Sequence, residues 1–199
     1  MLAVCDSGVA RSAQVQALAA LYGTYKPSTE RTAKLKKLGR EFFSALQYKL
    51  PLRFAKDHWR NWSANYKIDF LKKAHDLQAA KFGCPAASLS KAVIASNAIH
   101  YCSSNHMDIS ERDLACDKRE ILPALIDMFH EGVHAQQCYQ VNTVPTPDTL
   151  MLAVQYYPGA YISPDESFAG YQLNPVEVEA RTITDAFVGQ FNSPTAWIT

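Results

Sequence analysis

Apolar residues recur at helical spacing through the first eighty positions. "SAQVQALAALYG" is rich in Ala and Leu and stops at Gly23. "STERTAKLKKLGREFFSALQYKL" sets Leu35, Leu38, Phe42, Leu46 and Leu50 on one face, with Ser28 or Thr29 to cap it and Pro51 to end it. "NYKIDFLKKAHDLQAAKFG" repeats the pattern through Ile68, Leu71 and Leu77 and closes at Gly83. The texture then changes. "LSKAVIASNAIHYCSSNHMDIS" has short Val, Ile and Tyr runs broken by Ser and Asn, which predicts a β-hairpin or two edge strands. Helix returns in "DKREILPALIDMFHEGVHAQQCYQV", with Pro123 in its first turn, and again from about Asp148 to Tyr157. A Pro-, Gly- and Tyr-rich loop over 158–173 leads to "NPVEVEARTITDAF", where Asn174 can cap and Pro175 suits the first helical position. The expected fold is α+β, mostly α, with a small sheet. It divides into an N-terminal helical subdomain, 1–87, and a second region, 88–199.

At 199 residues and 48% hydrophobic the chain can bury a core as one domain. The net charge of +1 names no partner, but its distribution is uneven. Residues 24–81 hold about fourteen Lys and Arg against five Asp and Glu; from Phe82 onward the balance is about five against thirteen. The basic stretch "KLPLRFAKDHWRNW" allows contact with nucleic acid or acidic lipid. A solvated face, with Phe54, Trp59 and Trp62 in the core, explains it more simply, and the basic part can dock on the acidic one. No apolar run reaches the ~18 residues of a membrane span. "MLAVCDSGVARSAQ" lacks a basic n-region and a sustained apolar stretch, as expected of a cytoplasmic protein or one exported by a non-Sec route. The five cysteines lack CxxC spacing and read as thiols in a reducing compartment, with Cys102–Cys116 the candidate disulfide if the protein is exported.

The chemistry concentrates in "MFHEGVHAQQ". Residues four apart on a helix differ by only about 40° in direction, so His130 and His134 can share one ion. Glu131 lies about 100° round, where it can reach the ion's water as a general base. The uncharged flanks Phe129, Gly132, Val133 and Ala135 suit a helix backed by core. His134 is the last histidine, so a third ligand must come from Asp148, Asp165, Glu166, Glu177, Glu179, Asp185 or Cys138. Gln140 stands where the metzincin pattern needs its third His, and Gln137 where it needs a glycine. Cys138, one turn beyond His134, reads as packing rather than as a ligand.

"HEGVH" followed some forty residues later by "NPVEVEAR" resembles the gluzincin branch of zinc metallopeptidases. That resemblance, confined to the part of the chain after about Ser90, implies a zincin-like catalytic region over 88–199. It further implies zinc held by His130, His134 and Glu177, with Glu177 three residues before the small Ala180. Glu179 is the fallback ligand, but it points about 200° away from Glu177. Glu177 could instead close a capping box with Asn174. Several gluzincins carry an Asp four residues after the ligand Glu; Arg181 stands there, so a histidine-orienting partner must come from Asp185 or a backbone carbonyl. The resemblance implies an edge strand that pairs with an extended peptide, for which "AIHYC" and "HMDIS" are candidates. Tyr171 is the candidate oxyanion donor among Tyr156, Tyr157, Tyr161 and Tyr171. The expected activity is peptide-bond hydrolysis in a protein substrate. The alternatives are a non-catalytic zinc-site binding module and, from "CDSGVARS", a cysteine phosphatase built on Cys5 and Arg11. The latter lacks the βαβ alternation its parallel sheet needs. His58, His75, His100 and His106 read as surface or core residues.

Overall fold

The computed structural model describes residues 5–116, 120–143, 146–157 and 159–192. Four helices come first: α1 (Cys5–Tyr22), α2 (Thr29–Lys49), α3 (Leu52–His58), which a 3₁₀ turn over Trp59–Asn61 extends, and α4 (Ala64–Phe82). Three short strands follow, β1 (Ser88–Ala92), β2 (Ala98–Tyr101) and β3 (His106–Ser110). The chain ends in α5 (Glu111–Ala115), α6 (Ile121–Thr143), α7 (Pro147–Gln155), α8 (Phe168–Leu173) and α9 (Pro175–Phe191). The architecture is α+β and mostly α.

Local chemistry sets the helix ends. The Ser28 hydroxyl accepts the Arg31 N–H at 3.0 Å and starts α2, and Ser63 does the same for α4 through Tyr66 N–H. Gly83 closes α4 in the left-handed region at φ 69°. Asn174 precedes α9 but does not cap it with its side chain. Its amide instead donates to the Ile162 carbonyl and accepts the Ile162 N–H, tying the preceding loop to the helix start.

The sheet is neither a plain hairpin nor two edges. Its order is β1-β3-β2, with β1 parallel and β2 antiparallel to β3. "HMDIS" is therefore the central strand and "AIHY" an edge. The turn between them uses Asn105 at φ 45°, a conformation Asn tolerates.

One apolar core joins the N-terminal helices to the later region. Phe42 of α2, Phe129 of α6 and Phe187 of α9 meet with centroids 4.4–5.1 Å apart, and all three are fully buried. Burying each such ring stabilises by roughly 1.5–3 kcal/mol. Trp59 belongs to this core and Trp62 packs against it. Phe54 does not: it is half exposed, stacked on His58 along the outer side of α3. Gly39 lets α2 touch the α9 backbone, since a Cβ there would sit 2.6 Å from the Ile183 carbonyl oxygen.

Cys102 pairs with Cys138, not with Cys116. β2 lies along α6, which brings these two Cα atoms to 5.8 Å, whereas Cys116 follows α5 as an exposed free thiol. No helix among the described residues is long and apolar enough to cross a membrane.

Candidate metal centre

Helix α6 buries Phe129 in the aromatic core and turns His130 and His134 toward α9. Their Nε2 atoms lie 3.2 Å apart. Glu177, in the first turn of α9, places Oε2 3.3 Å from His130 Nε2 and Oε1 3.3 Å from His134 Nε2. The two ring nitrogens and the two Glu177 oxygens thus stand 3.2–3.3 Å apart pair by pair, close to the ~3.3 Å edge of a tetrahedron with arms of ~2.0–2.1 Å, the geometry that zinc takes with His and carboxylate ligands. Glu131 offers a carboxylate oxygen within 4.8 Å of both ring nitrogens, and the His130–Glu131–His134 group could hold a metal ion.

The electrostatics favour a cation. Burial raises the cost of the Glu177 charge, yet His134 and His130 hold its carboxyl far below the usual range. Burial likewise opposes a charge on His134, but Glu177 lifts it to about 9. Two tyrosines complete the cage: the Tyr161 hydroxyl donates to Glu177 Oε1 and the Tyr171 hydroxyl to Oε2, both at 2.9 Å. Tyr171 thus reaches the site from α8, but through the carboxylate. Burial and the Glu177 charge push both phenols above their ordinary range, so they stay protonated donors at neutral pH.

Glu179 faces the other way. It is fully buried and accepts from Arg31 at 2.7 and 2.9 Å and from the Tyr25 hydroxyl at 2.7 Å. It joins α9 to α2 and is absent from the histidine cluster. No capping box forms through Glu177.

The partner that orients His134 is Gln137. The Gln137 amide nitrogen donates to the Val176 carbonyl at 3.0 Å, which leaves Oε1 to accept from His134 Nδ1 at 2.8 Å. His134 therefore donates its Nδ1 proton to Gln137 and turns Nε2 toward the site. One side chain spans both metal-facing helices, a task for which Asp185, exposed on α9, is not placed. Spacing alone could have suggested it, because Gln137 lies three residues from His134 on the same helix.

Behind the site, Gln78 of α4 donates to the Phe129 carbonyl at 2.7 Å and contacts His75 Nδ1 at 3.3 Å. Gly132 makes this approach possible, because a Cβ there would overlap the Gln78 amide. His75 Nε2 accepts the Ala87 N–H at 2.9 Å, and burial lowers its pKa, so it is a neutral core residue.

A cleft of about 780 Å³ opens over the cluster, walled by Ile94, Ala98, Ile99, Tyr156 and Val176, with Glu131, His134 and Glu177 on its floor. The free edge of β2 runs along it. Ser110 N–H bonds the Asn97 carbonyl, so by alternation Ala98 and His100 turn their backbone groups away from β3. The His100 N–H donates to Glu131 Oε2 at 2.9 Å. No pattern in the sequence marks this contact, which exists only because β2 folds over α6.

Arg11 serves the same loop from outside. It pairs with Glu166 at 2.6 and 2.9 Å and donates to the carbonyls of Gly159 and Tyr161, holding the segment that carries Tyr161. Cys5–Ser12 lies within α1, where amides run along the axis instead of converging on a phosphate; the Cys5 side chain lies outside what is described. His106 joins Ser88, Ser90 and Asp108 in a polar ladder on the sheet, and His58 is exposed. Comparison with protein-family models, curated proteins and solved structures finds no match to this chain.

Proposed function

We propose that the protein is a zinc-dependent metallopeptidase of the gluzincin type that hydrolyses peptide bonds in a protein substrate. The observation that carries this reading is the meeting of His130 Nε2, His134 Nε2 and the Glu177 carboxylate at spacings near those of a tetrahedral zinc site, with a second carboxylate, Glu131, beside them at the foot of an open cleft. Imidazole and carboxylate at this spacing suit zinc, which when bound would polarise a peptide carbonyl and make its water acidic enough to attack at neutral pH.

The chain's own groups do the rest. Glu131 Oε2 is held by the His100 N–H, so Oε1 is left to take a proton from the attacking water and return it to the departing amine. Gln137 keeps the His134 tautomer. Tyr161 and Tyr171 fix both oxygens of Glu177, and to serve as the donor to the developing oxyanion Tyr171 would turn its one hydroxyl proton away from Oε2. The outward backbone groups of Ala98 and the His100 carbonyl offer an extended peptide a strand to pair with. The disulfide supports action in an oxidising compartment.

Purified protein is expected to hold about one zinc per chain, as the one donor set among the described residues implies. His130→Ala should lose that metal. Glu131→Gln should keep it while peptide cleavage falls by about 10²–10⁴-fold. Cleavage that survives both Glu131→Gln and chelation would refute the reading.

A further inference from the structure

We infer that the Cys102–Cys138 disulfide is a positioning element for the general base, because it seats β2 on α6 and so keeps the His100 N–H on Glu131. This rests on the metallopeptidase reading for its catalytic consequence, but not for the seating itself. β2 is an edge strand of four residues whose sheet partner is β3 alone. On its outer side α6 supplies two holds. One is the carboxylate of Glu131 on the His100 amide at 2.9 Å. The other is the covalent bond two residues on, from Cys102 to a cysteine about two helical turns beyond Glu131. The cleft wall and the helix carrying the base are thus pinned at both ends of one short span. Cys102 lines the cleft and is not fully buried, so a small dithiol can reach the bond.

Opening the bond is an ordinary exchange. A thiolate of the dithiol attacks one sulfur and forms a mixed disulfide, and its second thiol displaces the protein sulfur. Two electrons and two protons end on Cys102 and Cys138, and the reagent leaves as its own cyclic disulfide. With the ladder to β3 and the single hydrogen bond from Glu131 remaining, β2 is freer to drift from α6, and the His100 amide with it. His130, His134 and Glu177 are set by the backbones of α6 and α9, by Gln137 and by the two tyrosines; Cys138 sits on α6 beside Gln137, but the helix keeps its own hydrogen bonds when the sulfurs part, so the metal stays.

The experiment compares zinc-loaded protein before and after a dithiol reductant, alongside Cys102→Ser/Cys138→Ser, which needs no reagent that also meets Cys84 and Cys116. Read together are thiol count, zinc content, kcat and KM on a denatured protein substrate, and amide hydrogen exchange. Reduction should expose two further thiols per chain. It should leave zinc in place, speed exchange across residues 98–102 about tenfold or more, and lower kcat about tenfold or more, because small misplacements of a base are costly. Exchange in α2 and α9 should not change. The inference fails if no new thiols appear, if residues 98–102 exchange as slowly as before, or if α2 and α9 loosen in step with the loss of turnover, which would mark general unfolding. If oxidised, zinc-loaded protein cleaves nothing, the peptidase reading falls, and the exchange data alone decide the seating.

Discussion

Gln137 has one amide and two duties: it accepts the Nδ1 proton of His134 and donates to the carbonyl just before Glu177. Gln137→Leu fills similar space but leaves the buried Nδ1–H and the Val176 carbonyl unpaired, and it frees His134 to adopt the wrong tautomer. Zinc affinity is expected to fall about 10–100-fold, measured by competition with a chromophoric chelator, while the fold persists. Glu177→Gln should cost more, since it removes the charge that draws the cation. At this scale the histidine pair and Glu131 were legible because a helix fixes their spacing locally. Glu177 stood out among several acidic residues through the resemblance that sets the ligand three residues before Ala180; helix geometry said only that Glu177 and Glu179 cannot both face the pair. Tyr161 and His100 were illegible: nothing near either in the chain records that a loop approaches Glu177 and a strand approaches Glu131.

Elements were easier to read than their partners. The periodic runs of α2 and α4, the Ser28 cap and the Gly83 stop follow from rules acting within a few residues. The order β1-β3-β2 does not, because parallel pairing of β1 with β3 is decided by how the sheet lies against the helices. The Cys102–Cys138 link was hidden for the same reason. Helix α2 tests how closely two elements can approach. Gly39→Ala gains about 1 kcal/mol of helix propensity, yet it sets a methyl group against the α9 backbone, where overpacking costs about 1–3 kcal/mol. Since that neighbour is backbone and cannot rotate away, a net loss of about 1–2 kcal/mol is expected in chemical denaturation. An unchanged midpoint would mean that α2 and α9 shift apart freely.

For the molecule as a whole, stability should depend on keeping His75 uncharged. Burial lowers its pKa from the ordinary 6.5, and its Nε2 must accept the Ala87 N–H. The folded state therefore binds this proton less readily than the unfolded chain. Its contribution to stability is complete above pH 6.5 and is lost progressively as pH falls below that value. In metal-free protein, His75→Gln should begin less stable at pH 7.5 and decline less steeply between pH 7 and 5, followed by thermal unfolding. Parallel declines would assign the acid sensitivity elsewhere. The basic and acidic portions of the chain meet through Arg31–Glu179 and Arg60–Glu120, so part of the charge asymmetry visible in the sequence is balanced within the molecule.

The packing of α2 on α9 also constrains how the molecule comes into being. The aromatic centre needs Phe42 from near the start of the chain and Phe187 from near its end. A ribosome must therefore have made the chain through about residue 187 before this centre can close, and until then the helices ahead of it have no finished surface to settle on. A nascent chain would stay loosely organised until α9 has emerged, and removing α9 should abolish the cleft together with the fold.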